Sequence, residues 1–420
     1  MREILIVALV ASACRPAPPV APFTLRIAVS GPLDPMSPRA DIRSWTSYAS
    51  PVVFQTLLTL GLGGEIVPLL ASRVEAGGPR ELRVWLSTSA RFSDGSALTV
   101  PDVVESLKAS GLQSTPEGDH LLVTSPEPGI PTELLVSRAY VFRRVSGGFL
   151  GTGPFTVTEQ DASHIVFTRV VAAPPRIARI RLDSYATPQD AFARTLKGDA
   201  DLLPDVQPRW VEFFEGVPRL RVLRAPGATA NMVAFNRDHL DRRARAALQS
   251  VLSTDEIRRL AFGDDCIPPA RRPGIEPLPP GRPLDVIGPP FYDRFAFAVR
   301  RALGPRGGSV RTTEIQDLFA LLKQGDYDLA MVRPRVSPPI MASLNWRTGA
   351  ATNVLHYSNP AVDAALDRHD WAAAQRALEE DPPGVIICTQ PALVVIDSRI
   401  KKVSFDSSFR DSIPQWEVAQ

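Results

Sequence analysis

The segment from Leu82 to Leu107, LRVWLSTSARFSDGSALTVPDVVESL, most narrows what this chain can fold into. Leu82, Val84 and Leu86 alternate with Arg83, Trp85 and Ser87, the period of a half-buried strand. Ser93-Asp94-Gly95-Ser96 supplies turn chemistry, with Gly95 free to take a positive φ. Thr99 can cap the next element, and Asp102 stands three residues on as the second half of a capping box. Pro101 is tolerated there because first-turn amides have no intrahelical partner. Val103, Val104 and Leu107 then share one helical face. A strand, a tight turn and a capped helix in one segment point to α/β architecture.

At 420 residues the chain is too long for one ordinary core and suggests two or three domains. Its 44% hydrophobic and 22% charged residues are those of a soluble globular protein. A net charge of +2 from scattered basic residues gives no reason to expect nucleic acid as a partner. The one long apolar run is N-terminal: Arg2, then apolar Ile4 to Ala11, then the small residues Ala11-Ser12-Ala13. It is too short to span a bilayer, which takes roughly 20 residues, so residues 1–13 read as a signal peptide and the protein as exported. The string ASAC resembles the lipobox of bacterial lipoproteins, which implies lipidation of Cys14 and a membrane anchor. Residues 14–22, rich in proline, would be the tether. The other cysteines, Cys266 and Cys388, either form a disulfide, as export permits, or remain separate buried thiols.

Catalytic groups are hard to find. The five histidines, His120, His164, His239, His356 and His369, lie far apart with no two at ligand spacing. There is no G-x-S-x-G elbow, Walker loop or dinucleotide fingerprint. His239 between Asp238 and Asp241 reads as a solvated loop, and Asp264-Asp265 and Glu379-Glu380 read as exposed turns. We therefore expect no catalysis, no metal and no cofactor.

The segment that opens this reading also closely resembles a signature, F-x-D-G-x-x-L-T-x-x-D-V-x-x-S-L, of the family 5 extracytoplasmic solute-binding proteins. Phe92, Asp94, Gly95, Leu98, Thr99, Asp102, Val103, Ser106 and Leu107 match it in order and spacing. Further matches run in family order: Phe54, Leu57, Pro68, Leu70 and Ala71; Gly151 to Phe155; Met232 to Asn236; Tyr327-Asp328; and Asn353 to Leu366. The family includes the peptide-, dipeptide- and nickel-binding subunits of ABC importers. The resemblance implies a two-lobed periplasmic-binding-protein fold (type II, cluster C-like) with an extra subdomain on the first lobe. On this chain lobe I would be 23–62, 151–267 and 392–420, the subdomain 63–150, and lobe II 268–391, entered through the proline-dense break at 268–283. It also implies a monomer that captures a small-molecule or oligopeptide ligand by lobe closure and delivers it to ABC permease subunits. An orphan sensor of the same fold, or a hydrolase, would be the alternatives.

Elements can be read in outline. Strands fall at 23–30, at 156–169, and on either side of a helix from Pro188 to Lys197 closed by Gly198. Helices are expected from Trp45 to Leu60 and from Arg242 to Ala261, and a strand over Pro383 to Val395. Where the family's first lobe meets its ligand, this chain has Trp45, Thr46 and Asn231, and Trp346 would line the second lobe. In peptide-binding members a W-x-x-D-Y-x-D-P segment follows the Y-D strand, and its first aspartate pairs with the ligand's amino terminus. Here the run is Met331-Val332-Arg333-Pro334-Arg335-Val336-Ser337-Pro338, with arginine where a carboxylate would be. Arginine favours carboxylate or phosphate through paired hydrogen bonds, so Arg333 or Arg335 would hold an anionic group. The alternative is that both face solvent or pair with lobe carboxylates.

Overall fold

The computed structural model describes residues 22–420 apart from 40–44, 61–64, 79, 126–131, 172–175, 205, 207–209, 264–265, 270–276, 314, 335–344, 351–352, 369, 404–412, 414–415 and 419–420. The expected signal peptide, Cys14, nearly all of the tether and Arg335 lie outside the described residues. Among the described residues no helix is long and apolar enough to cross a membrane.

Ten strands form the main sheet: β1 (Thr24–Ser30), β2 (Phe155–Gln160), β3 (His164–Arg169), β4 (Arg179–Tyr185), β5 (Leu202–Leu203), β6 (Leu220–Phe235), β7 (Leu284–Gly288), β8 (Gly307–Thr312), β9 (Leu329–Val332) and β10 (Gly384–Asp397). Their order is β2-β3-β4-β1-β5-β10-β6-β9-β7-β8. β1 runs parallel to β4 and β5, and β7 runs parallel to β8 and β9. Between these two parallel groups lie β6 and β10, which pair antiparallel from Leu220↔Asp397 to Ala234↔Gly384. One half of this pair belongs to the first group, through Val395↔Leu203; the other belongs to the second, through Met232↔Val332. The ladder breaks register between Ala225 and Thr229, opposite Ala392 and Gln390. Pro226 and Pro391 stand in this stretch and can donate no ladder hydrogen bond, which weakens the sheet where the halves meet.

Each half is covered on both faces, as parallel strands require. In lobe I, Leu25, Ile27, Phe155, Phe167, Leu182 and Ile396 pack on one side, and Ala28, Leu203, Phe214 and Val395 on the other. In lobe II the same alternation splits β6: Val233 and Phe235 join Val286, Phe295 and Met331, while Met232 and Ala234 join Ile287, Leu322 and Tyr357. Helices α4 (Arg242–Leu252) and α5 (Asp255–Phe262) also pack with this core, through Leu248, Leu252 and Ile257. The expected boundary at 267/268 thus has on its N-terminal side residues whose apolar faces pack with strands that follow it. Met232 to Phe235, Leu248, Leu252 and Ile257 are buried against β7, β9 and the helix at 293–303.

The opening segment forms as its residues dictate. Helix α1 (Trp45–Val53) precedes it, the strand is Glu81–Leu86, and α2 is Val100–Ala109. The strand joins a separate four-stranded sheet with its own core of Leu58, Leu82, Val84, Val103, Leu107 and Val123. Gly95 has φ 86°, and the Asp94 carboxylate accepts from the Ser96 amide at 2.9 Å. The Thr99 amide donates to Asp102 at 3.0 Å. Asp102 is also gripped at both oxygens by Arg143, at 2.8 Å each. Burial alone would raise the Asp102 carboxyl; Arg143 and Thr99 hold it below the usual range. Ser106 Oγ accepts from the Phe142 amide at 3.0 Å and donates to the Asp102 carbonyl at 2.7 Å. Most of the signature's polar residues thus have a structural task.

Three elements differ from expectation. Helix α1 stops at Val53, not near Leu60, because the Val53 carbonyl accepts from the Gly153 amide at 2.8 Å. A Cβ on Gly151 or Gly153 would collide with the Val52–Val53 backbone, so glycine is required for this close approach. The run 156–169 is a hairpin, β2 and β3, because Asp161 accepts from the amides of Ser163 and His164 and closes a turn. The helix from 242 divides into α4 (Arg242–Leu252) and α5 (Asp255–Phe262), the second started by Thr254 capping Ile257. Helix α3 (Pro188–Lys197) agrees to the residue, with Thr187 and Asp190 as its capping box and Gly198 at φ 93°.

Cys266 and Cys388 are bonded, which settles the choice left open by the sequence. The bridge ties the 266–267 strip to β10, beside the Ile267↔Thr389 pairing, across a separation of 122 residues. Constraining so long a loop in the unfolded chain is worth about 3–5 kcal/mol. The double variant Cys266→Ser/Cys388→Ser should lose that much unfolding free energy in urea titrations under non-reducing conditions, and reductant should shift the wild-type curve the same way.

Candidate functional site

In both lobes the parallel strands end on the crossing of β6 and β10. Ser30, Tyr185 and Leu203 close β1, β4 and β5 on that side, since Leu203 pairs with Val395 and not with the farther end of β10. Gly288, Thr312 and Val332 close β7, β8 and β9 on it, since Val332 pairs with Met232 and not with Phe235. Ligands of open α/β sheets bind outside the carboxyl ends of strands. Helices α3, α6 (Asp293–Leu303) and α7 (Ile315–Gln324) follow β4, β7 and β8, so their N-termini also lie on this side.

The expected site residues take distinct places. Trp45 stands at the lobe I rim, half-buried, its indole donating to the Ser30 carbonyl at 2.7 Å. Thr46 is fully buried; its hydroxyl donates to the Asp34 carbonyl at 2.7 Å and accepts from the Asp34 amide at 2.9 Å. It orders the loop after β1. Asn231 is 1% exposed on β6, just past the register break. Its carbonyl oxygen accepts from Tyr292 Oη at 2.6 Å, and its amide points at the sulfurs of Cys266 and Cys388, at 3.5 and 3.9 Å. Trp346 is buried in lobe II, edge-on to Tyr357, as core. Arg333 is exposed immediately after β9, and its Nε donates to Thr229 Oγ1 at 3.2 Å. Trp45 and Arg333 are therefore the two expected residues at the strand ends, one on each lobe. Thr229 and Tyr292 were not among the expected residues. The strand followed by Gly288-Pro289-Pro290 is the signal that could have marked the turn carrying Tyr292.

Elsewhere the charged groups are satisfied locally. Asp328, 2% exposed, accepts from both Arg282 nitrogens, the Asp285 amide and His239, whose ring reaches this carboxylate from an exposed turn, 40% open to solvent. Burial would raise the Asp328 carboxyl, but Arg282 and the Asp285 amide hold it low. Among the described residues no group of three or more His, Cys, Asp or Glu is placed to hold a metal ion. A cavity of about 410 Å³ in lobe II is lined by Lys323, Thr348, Ala350, Val354, His356 and Tyr357 among others. All of its walls come from lobe II, so movement of one lobe against the other does not enclose it.

No protein-family model and no curated protein matches this sequence. Solved structures do match in shape. An ABC transporter substrate binding protein, CtaP from Listeria monocytogenes, superposes with a TM-score of 0.74 at 16% identity, covering 95% of this chain and 100% of that one. NikA from Staphylococcus aureus, in complex with Ni(L-His)2, gives 0.69 at 16% identity over 92% and 97%. The oligopeptide-binding protein AppA from Bacillus subtilis, in complex with a nonapeptide, gives 0.68 at 13% identity over 95% and 99%. The chain thus has the α/β fold of the two-lobed binding proteins, over its whole described length.

Removing the Tyr292 hydroxyl leaves a buried Asn231 oxygen without its donor, which costs about 1–3 kcal/mol. Tyr292→Phe should show that loss at neutral pH by chemical denaturation. Burial pushes the Tyr292 phenol up to about 12, with the Arg333 charge acting the other way. The unfolded phenol titrates near 10, so between these values unfolding releases a proton and wild-type stability falls as pH rises. Tyr292→Phe should make that alkaline fall shallower.

Proposed function

We propose that the chain is a family 5 extracytoplasmic solute-binding protein that captures a small-molecule or peptide-like ligand between its lobes and delivers it to an ABC importer. One observation carries this reading: two groups of parallel strands, one in each lobe, end on the crossing of β6 and β10, where the sheet is weakest. A ligand held there touches both lobes, and rotation about two strands closes the site over it. The match to the signature from Phe92 to Leu107 supports the family. So does the likeness to CtaP, an ABC transporter substrate binding protein, and to AppA, an oligopeptide-binding protein.

Binding and release need no bond-making. Export, lipidation of Cys14 and a single-chain monomer complete the reading, supported by the N-terminal sequence and by the tether composition of residues 14–22. Closure traps the ligand because polar groups at the strand ends exchange water for ligand only when both lobes contribute. Lobe I offers Trp45 for stacking and lobe II offers Arg333 for charge. Thr46, Asn231 and Trp346 act behind them, holding the loops and strands on which these groups stand.

Native mass spectrometry of the protein purified from its host should show a bound small molecule that leaves on denaturation. The emptied protein should then melt at a higher temperature when a peptide library is added. A protein without bound mass and without any ligand-dependent melting shift would contradict the proposal.

A further inference from the structure

We propose that the captured ligand carries an anionic group, a carboxylate or a phosphate, and that Arg333 is the residue that selects it; this rests on the binding-protein reading above. Arg333 follows β9 at the strand-end side of lobe II. The Pro334 carbonyl accepts from the Ala230 amide at 3.0 Å, so the backbone around Arg333 is held against β6 one step past the register break. The guanidinium is oriented from one edge only, by Nε donating to Thr229 Oγ1 at 3.2 Å. Its two terminal nitrogens, the pair that grips carboxylate and phosphate in a fork, are left to other partners.

The surroundings explain why none of the described residues fills that fork. Several arginines elsewhere in this chain are matched to carboxylates, Arg26 to Asp201 at 2.7 Å, Arg143 to Asp102 at 2.8 Å and Arg245 to Asp381 at 3.0 Å, while Arg169 and Arg306 donate to backbone carbonyls. Among the described residues no carboxylate lies within salt-bridge distance of Arg333. Its described neighbours Thr229, Asn231 and Tyr292 are all neutral, and the Tyr292 proton is committed to Asn231. The N-termini of α6 and α7, which follow strands ending on the same side, add positive dipole ends. When the lobes close and exclude water, an unmatched guanidinium becomes costly unless the ligand neutralises it. A cationic amine placed there would be repelled. Closure is therefore favourable for ligands that bring negative charge, and the selection is made by Arg333 with Thr229 as its positioning residue.

The test uses the full chain emptied of ligand, with Arg333→Gln and Arg333→Lys variants whose unchanged melting temperature confirms folding. Each is incubated with an equimolar pool of tri- to pentapeptides, half with free C-terminal carboxylates and half as C-terminal amides, and separately with a pool of organic phosphates. Retained molecules are identified by mass spectrometry, and hits are titrated by calorimetry. Wild type should retain free-carboxylate peptides or organic phosphates, and which pool supplies the hits distinguishes the two sources. Arg333→Gln should weaken those hits roughly tenfold to a hundredfold, with Arg333→Lys between. Equal retention of free and amidated peptides with no retained phosphate would overturn the inference, while leaving the protein a ligand binder. So would hits that Arg333→Gln binds as tightly as wild type. Retention of nothing by wild type would overturn the binding reading, and the inference with it.

Discussion

The antiparallel pairing of β6 with β10 is the interaction on which the rest of this structure depends. These two strands carry the chain between lobes and supply the inner edge of the sheet in each. Apolar side chains of β6 enter both lobe II cores, and those of β10 enter both lobe I cores. If the pairing failed, each parallel group would be left with an open edge and half-covered faces. The same pair is interrupted midway, between Ala225 and Thr229, where two prolines remove donors. Strong pairing at both ends with a gap between is what a hinge needs: the lobes stay intact while the connection bends.

Stiffness is distributed to keep that bending local. On the lobe II side of the gap, the Cys266–Cys388 bridge, Asn231 and Tyr292 form one buried cluster that fixes β6 to β10 and to the turn before α6. On the lobe I side, Arg26 and Arg399 surround the buried Asp201 and tie the β5 entry to the end of β10. Arg333 and Trp45 stand just outside these clamps, positioned by them without being enclosed. The half-buried Trp45 and the exposed Arg333 thus stand on rigid supports, which would limit the ordering cost of the proposed binding.

Much of the fold was legible because its cues are local. The capping boxes at Thr99 and Thr187 and the glycine at 198 mark helix ends by chemistry that acts within three or four residues. The signature from Phe92 to Leu107 is legible for the same reason, its turn and helix cap being local; Asp102 and Ser106 also clasp the hairpin at 142–143. Long-range contacts escaped. Nothing near Val53 announces that its carbonyl meets Gly153, so the helix was read too long. The proline-dense stretch at 268–283 is visible in composition, whereas the packing of α4 and α5 against β7 and α6 is not. Residues expected at the site from family position divide by exposure. Trp45 and Arg333 reach the strand ends, while Thr46, Asn231 and Trp346 are buried support.

Closure about the β6–β10 crossing is the central claim, and an interlobe distance tests it most directly. Dyes placed at Lys197 on α3 and Lys323 on α7, both exposed and on opposite lobes, report that distance by single-molecule energy transfer. The account predicts two populations, with the closer one growing along the same titration curve that calorimetry gives for ligand. A distance that stays constant while calorimetry shows the ligand bound would contradict it.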